Sequence, residues 1–347
     1  MLSKSVLYQD MESPLPKRPK VFVTRRLPAI IEARMSDLFD VTLNTKDMPL
    51  SQADLKQAVR DCDVLVPTVT DNVNAEIIQA AGDQLKLIAS FGAGTDHIDV
   101  AAAHDRKITV TNTPSVLTED TADLTMALIL AVPRRLVESD RLTRAGGFTG
   151  WAPTGLLGHR IKGKKLGIIG MGRIGQAVSR RARAFGLEIH YHNRRPVPAK
   201  IALELSATYW DDLNAMLTQV DIVSINCPST PSTYHMINAE RIACMNPNSY
   251  IINTSRGEVI DEAALAKALI NKKIGGAGLD VYEHEPKIHP DLLELDNVIL
   301  APHIGSATFE SRQEMGEKVL INIRALIDNH QFPDRVLPPG STFSRAS

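Results

Sequence analysis

The run Gly170-Met171-Gly172-Arg173-Ile174-Gly175 constrains the fold of this chain more than any other stretch. A GxGxxG string alone is a weak signal, so its flanks decide what it means. Before it stands Lys165-Leu166-Gly167-Ile168-Ile169, a short apolar run that reads as a buried parallel strand. After it, Ile174, Ala177, Val178, Ala182 and Phe185 recur at helical spacing, and Gly186 suits a helix stop. A second strand, Leu187 to His192, follows at once. Strand, glycine turn, helix and strand have the length a βαβ crossover needs. In such a unit Gly170 and Gly172 let the backbone turn and approach a pyrophosphate, while Gly175 lets helix and strand pack closely. The N–H groups and dipole at the helix N-terminus attract the anion. The pattern therefore predicts a dinucleotide-binding domain; a purely structural glycine turn is the alternative.

The residue closing the second strand bears on which dinucleotide. An Asp or Glu there accepts bonds from the ribose hydroxyls and repels a 2′-phosphate. Here the position is Asn193, followed by Arg194 and Arg195. Two guanidinium groups offer forked donors that match phosphate oxygens. The sequence thus favours NADPH, with NADH accepted as a second cofactor. A solvated basic turn after a strand is the other reading.

At 347 residues the chain is long enough for two domains. Hydrophobic residues make up 44% and charged residues 23%, the balance of a soluble globular enzyme. A formal net charge of −1 gives no case for a nucleic-acid or anionic-membrane partner. Cys62, Cys227 and Cys244 show neither metal nor disulfide spacing, which fits a reducing, cytoplasmic setting. No apolar run is long enough for a membrane span, and none near Met1 reads as a signal-peptide core.

Residues 1–19 lack periodicity and read as a flexible tail. From Lys20 strands and helices alternate: strands at Val21–Val23, Val41–Leu43, Asp63–Pro67 and Leu85–Ser90, helices at Ala29–Leu38, Ser51–Val59 and Asn74–Ala81. After the breaker Thr113-Pro114-Ser115, one long helical stretch is expected over Thr118–Thr143, then a loop or arm through Gly158. The fingerprint opens a second series of strands: Leu166–Ile169, Leu187–His192, Asp221–Asn226, Tyr250–Asn253, Gly276–Leu279 and Val298–Ala301. A last helix, Ala307–Asn329, is expected to return to the first domain. The predicted fold is α/β with two doubly wound parallel-sheet domains. A Rossmann dinucleotide domain (118–305) is inserted into a flavodoxin-like substrate domain (20–117 and 306–347).

Open α/β sheets bind ligands beyond the carboxyl ends of their strands. The polar residues after three late strands are Thr254-Ser255-Arg256-Gly257, Asp280 with Glu283-His284-Glu285-Pro286, and Pro302-His303-Ile304-Gly305. An Arg, an acid and a His at adjacent strand ends suit reduction of a 2-oxo acid. Arg256 can bridge carboxylate and carbonyl oxygen. His303 can give a proton to the forming alkoxide as a hydride reaches the carbon, and Glu285 can orient the imidazole. Asp280 is placed to hold a nicotinamide carboxamide. Taken singly, such an Arg is more often a surface ion pair and such a His a structural residue. Glu285 beside His284 and His289 raises the thought of a metal, but the Pro-flanked segment lacks closed-site spacing and no metal is expected. In the first domain Ser90-Phe91-Gly92-Ala93-Gly94-Thr95-Asp96 follows an apolar strand. Its N–H groups around Ala93 and Gly94 can form an anion-binding concavity, with a plain turn as the alternative. His97 reads as structural.

These motifs carry a resemblance. From about Lys20 to Asn329 the chain resembles the D-isomer-specific 2-hydroxyacid dehydrogenases. The motifs that carry it are Phe91-Gly92-Ala93-Gly94-Thr95-Asp96-His97-Ile98-Asp99, Gly170–Gly175, Asn253-Thr254-Ser255-Arg256-Gly257, Gly278-Leu279-Asp280-Val281 and Pro302-His303-Ile304-Gly305. Asn193-Arg194-Arg195 and Gly147-Phe148-Thr149-Gly150-Trp151 are most similar to its glyoxylate/hydroxypyruvate reductase branch. The resemblance implies Arg256, Glu285 and His303 as the catalytic set, and backbone groups of Ala93 and Gly94 as substrate contacts. It implies Arg173, Ile174, Pro228, Thr254 and Asp280 on the cofactor, with Gly305 nearby. It also implies a homodimer formed through the dinucleotide domain, with Trp151 reaching the partner's substrate pocket. The expected activity is NADPH-preferring reduction of small 2-oxo acids such as glyoxylate and hydroxypyruvate. The alternative is an NAD-linked dehydrogenase of D-lactate, D-glycerate or 3-phosphoglycerate. A nucleotide-sensing corepressor-like protein stands behind both, and formate oxidation is disfavoured because Glu285 is an acid rather than an amide.

Overall fold

The computed structural model describes residues 18–338. The tail expected over residues 1–19 lies almost wholly outside the described residues, as does the stretch after 338. The described residues divide into two compact units, one of residues 18–116 with 309–338, the other of Leu117–Thr308.

In the first unit, short runs of Val, Ile and Leu become strands because their side chains are buried on both faces of a parallel sheet. β1 (Lys20–Val23), β2 (Asp40–Leu43), β3 (Val64–Val66), β4 (Leu87–Ala89) and β5 (Thr109–Thr111) are all parallel. Arg335–Val336 adds an antiparallel edge to β5. The spatial order from β2 is β2-β1-β3-β4-β5, the flavodoxin-like winding. Local chemistry sets the helix starts. Ser51 accepts from Asp54 N–H while the Asp54 carboxylate accepts from Ser51 N–H, a reciprocal cap on helix Gln52–Asp61. Asn74 caps helix Ala75–Gln79 by accepting from Ile77 N–H. The returning helix Phe309–Ile327 packs on helix Ala29–Leu38 and on β4. Helix Val100–Asp105 and β5 were not legible in the sequence.

The second unit has seven parallel strands: β6 (Lys165–Ile169), β7 (Glu188–His192), β8 (Ala207–Trp210), β9 (Ile222–Ile225), β10 (Tyr250–Asn253), β11 (Gly276–Leu279) and β12 (Val298–Leu300). Their order, β8-β7-β6-β9-β10-β11-β12, is the Rossmann winding with β8 as an edge strand. The order reverses between β6 and β9, and the glycine turn leaves β6 at that switch point. One apolar layer lies under helices Thr118–Ala131 and Arg173–Ala184. The other face is covered by Leu213, Leu217, Ile242, Leu265 and Leu269.

One expected element is corrected. The single helix over Thr118–Thr143 is two, Thr118–Ala131 and Leu136–Arg144. Pro133 lies between them; it has no N–H to donate and its ring clashes with the carbonyl four residues back. Arg135 then takes a left-handed conformation (φ 54°) at the N-cap of the second helix.

Candidate active site

Strands β10, β11 and β12 are neighbours in register, with Asn253 beside Leu279 and Leu279 beside Leu300. The segments that follow them therefore leave from one sheet edge. His303 and Glu285, separated by eighteen residues, meet there: His303 Nδ1 lies 2.8 Å from Glu285 Oε2. Glu285 Oε1 accepts from Tyr282 N–H at 3.1 Å. Burial acts to raise the Glu285 carboxyl, but the His303 hydrogen bond and charge, the Tyr282 N–H and the Arg256 charge together hold it below the usual carboxylate range. Because Nδ1 is engaged, Nε2 is the imidazole nitrogen left for another partner.

Three features fix this arrangement. First, Asp280 clasps the His303 loop: its carboxylate accepts from Ile304 N–H and Gly305 N–H, each at 2.7 Å, and its carbonyl accepts from His303 N–H at 2.9 Å. Burial pushes the Asp280 carboxyl up, opposed by those N–H groups and by the His303 charge. Second, the buried Tyr282 hydroxyl donates to the Ala301 carbonyl at 2.8 Å, tying the segment after β11 to that after β12. Third, Gly257 lets the Arg256 turn lie directly on the Tyr282–Glu283 peptide. A Cβ at Gly257 would fall 1.9 Å from the Tyr282 carbonyl carbon. Fully buried Asn253 shapes that turn, donating to the Arg256 carbonyl and accepting from Ser255 N–H and Oγ. Thr254 is turned inward: its hydroxyl lies 2.7 Å from that of Thr125, which itself donates to the Thr121 carbonyl. Thr254 is therefore the donor of the pair.

At the switch point the glycine turn fits a dinucleotide. Gly170 has φ 97°, and a Cβ there would lie 2.7 Å from the backbone of Asn226 and Cys227 after β9. A Cβ on Gly175 would lie 2.4 Å from the Gly170 carbonyl oxygen. Gly172 is different: a Cβ there would meet nothing within 4 Å, the open approach that a pyrophosphate needs. Arg173 and Ile174 begin the helix that faces it. Pro228 follows on the β9 side, its carbonyl held by the Thr233 hydroxyl. Asn193 is more than a missing acid: its Oδ1 accepts from Met171 N–H at 2.8 Å, tying the end of β7 to the glycine turn. Arg194 and Arg195 are exposed, and among the described residues neither forms an ion pair.

In the first unit, the turn with Ala93 and Gly94 is held by Asn112, whose amide donates to the Ala93 carbonyl at 2.6 Å, and by Thr113 N–H on Gly92. His97 Nε2 lies 3.3 Å from the Ser90 hydroxyl. Among the described residues no three His, Cys, Asp or Glu cluster as a metal site, and no helix is long and apolar enough to cross a membrane. Burial pushes the Cys62 thiol up to about 12 and that of Cys227 to about 11, so neither is a thiolate near neutrality. The sequence places Asn253 in a motif without giving it a role, and it does not point to Tyr282 or to the inward bond of Asn193. Only Asn253, a polar residue ending an apolar strand, left a sequence signal.

The model of the D-isomer specific 2-hydroxyacid dehydrogenase NAD binding domain matches residues 126–305. A glyoxylate reductase of Thermococcus litoralis is 44% identical over 92% of this chain and 97% of its own. One from Korarchaeum cryptofilum is 44% identical over 93% of this chain and 99% of its own. Among solved structures, an NADPH-dependent glyoxylate/hydroxypyruvate reductase from Sinorhizobium meliloti, in complex with NADP and malonate, is 33% identical. It superposes with TM-score 0.82 over 92% of this chain and 97% of that one. Glycine turn, strand order, strand-end residues and these likenesses agree: the chain belongs to the D-isomer-specific 2-hydroxyacid dehydrogenase family and is an NAD(P)-dependent oxidoreductase.

Proposed function

We propose that the chain is an NADPH-preferring reductase of glyoxylate and hydroxypyruvate, with His303 as proton donor. The observation that carries the reading is the 2.8 Å His303–Glu285 pair on the sheet edge from which Arg256 also departs. When bound, the reduced dinucleotide supplies the hydride that the carbonyl carbon accepts. Arg256 binds the substrate carboxylate and draws charge toward the carbonyl oxygen. His303 gives its Nε2 proton to that oxygen, so the 2-oxo group becomes a 2-hydroxy group and the imidazole is left neutral. Glu285 fixes the ring's orientation through Nδ1, which leaves Nε2 for the substrate oxygen. Gly170, Gly172, Arg173, Ile174, Gly175, Pro228, Thr254, Asp280 and Gly305 surround the dinucleotide.

The NADPH preference rests on Arg194 and Arg195, two exposed cations that no acid neutralises among the described residues. The Sinorhizobium relative, described as NADPH-dependent, supports the same choice. A cytoplasmic homodimer through the dinucleotide domain completes the proposal. Phe148 and Leu157 (each 66% exposed) and Trp151 (85%) on the arm before β6 offer the apolar surface such a contact covers. Assaying a panel of 2-oxo acids with NADPH and with NADH tests the reading. Saturable NADPH oxidation with glyoxylate and hydroxypyruvate, at higher kcat/KM than with NADH, is expected. Oxidation no faster than the substrate-free rate would reject it.

A further inference from the structure

Glu285 stands on a loop, and a loop residue holds an imidazole in place only if the loop is itself held. The stretch Glu283–His289 is closed at both ends by one side chain. Glu262 Oε2 accepts from Glu283 N–H at 2.9 Å, and Glu262 Oε1 accepts from His289 N–H at 2.6 Å. Glu262 is 8% exposed and opens helix Glu262–Ile270, which Asp261 caps by accepting from Ala264 N–H. The tie is returned: Glu262 N–H donates to Glu283 Oε2 at 3.2 Å. The other Glu283 oxygen lies 2.7 Å from His235 Nε2, on the loop that also carries Pro228. Burial acts to raise the Glu283 carboxyl, but the bonds from His235 and Glu262 and the charges of His235 and His284 hold it low.

We propose that Glu262 is a positioning residue for proton donation: by clamping both ends of the Glu283–His289 loop it sets the reach of Glu285 to His303. A carboxylate suits the task because each oxygen takes one backbone N–H. An amide has one acceptor and would turn its NH2 on the other N–H. The proposal rests on the reading of Glu285 and His303 given above. The charged and titratable groups facing that pair are Arg256, Asp280 and Tyr282; those around Glu262 are Glu283, His289 and Tyr282 and, across Glu283, Tyr234, His235 and His284.

The test is a double-mutant cycle of Glu262→Ala and Glu285→Gln in the full chain, reading kcat against pH, cofactor affinity by fluorescence, and melting temperature. Glu262→Ala is expected to lower kcat about tenfold and to move its pH profile in the same direction as Glu285→Gln moves it. Cofactor affinity should stay within about twofold, and the double variant should lose little beyond Glu285→Gln alone. Additive losses, or a lower melting temperature with an unchanged pH profile, would overturn the proposal. If Glu262→Ala does not fold, Glu262→Gln, which keeps one acceptor, must give a smaller shift in the same direction; no shift rejects the proposal. If Glu285→Gln itself leaves kcat and profile unchanged, the underlying reading of the pair fails instead.

Discussion

At the end of β7, Asn193 is bonded inward and Arg194 is exposed. Asn193 turns its acceptor oxygen on Met171 N–H and so braces the glycine turn. In the proposed reading, discrimination falls to the exposed guanidinium groups behind it. Replacing Arg194 by Asp should move the kcat/KM ratio from NADPH toward NADH by about tenfold or more, the value of a charge-assisted phosphate contact. An unchanged ratio in paired assays would remove the phosphate assignment. At this scale the sequence was legible where chemistry clusters at strand ends: Arg256, Glu285 and His303 leave one edge because β10, β11 and β12 are neighbours. The supporting residues were not legible. Tyr282 acts through its backbone N–H and a long-range hydroxyl bond, and Glu262 looks like any acid in a first helical turn. Their partners, Ala301, Glu283 and His289, are set by tertiary packing rather than by spacing.

At the scale of elements, close approach decides which glycines are tolerant. Gly316 lies in helix Phe309–Ile327, where a Cβ would fall 2.5 Å from the side chain of Ile31 on helix Ala29–Leu38. Ile31 is fully buried and stiff, so Gly316→Ala should cost about 1–3 kcal/mol by overpacking. A denaturant melt with an unchanged midpoint would contradict that contact. The elements missed from sequence are short and mixed in character. β5 is Thr-Val-Thr with a single apolar side chain, and β8 is an edge strand whose residues are half-exposed. The long helix was overextended because its apolar spacing continues past Pro133, where the backbone cannot.

Over the whole molecule, acid should unfold the protein in a predictable direction. Against burial, the Lys164 ammonium and Lys165 N–H hold Asp221 low, as His303 holds Glu285. A carboxyl lowered in the folded state stabilises it above the unfolded value of about 4, and that stability is lost as pH falls through the folded value. Asp280, raised by burial, acts the other way: its contribution is present below the unfolded value and lost as pH rises through the folded one. Melting temperature should therefore drop below about pH 4, and Asp221→Asn should flatten that drop. Acid profiles that run parallel for variant and native chains would count against it. The central claim is that His303 gives the proton that completes reduction. Turnover of glyoxylate with saturating NADPH, compared between the native chain and His303→Gln, tests it most directly. The account predicts a kcat loss of about 10²–10⁴ with the cofactor dissociation constant preserved; turnover within a few-fold of native would contradict it.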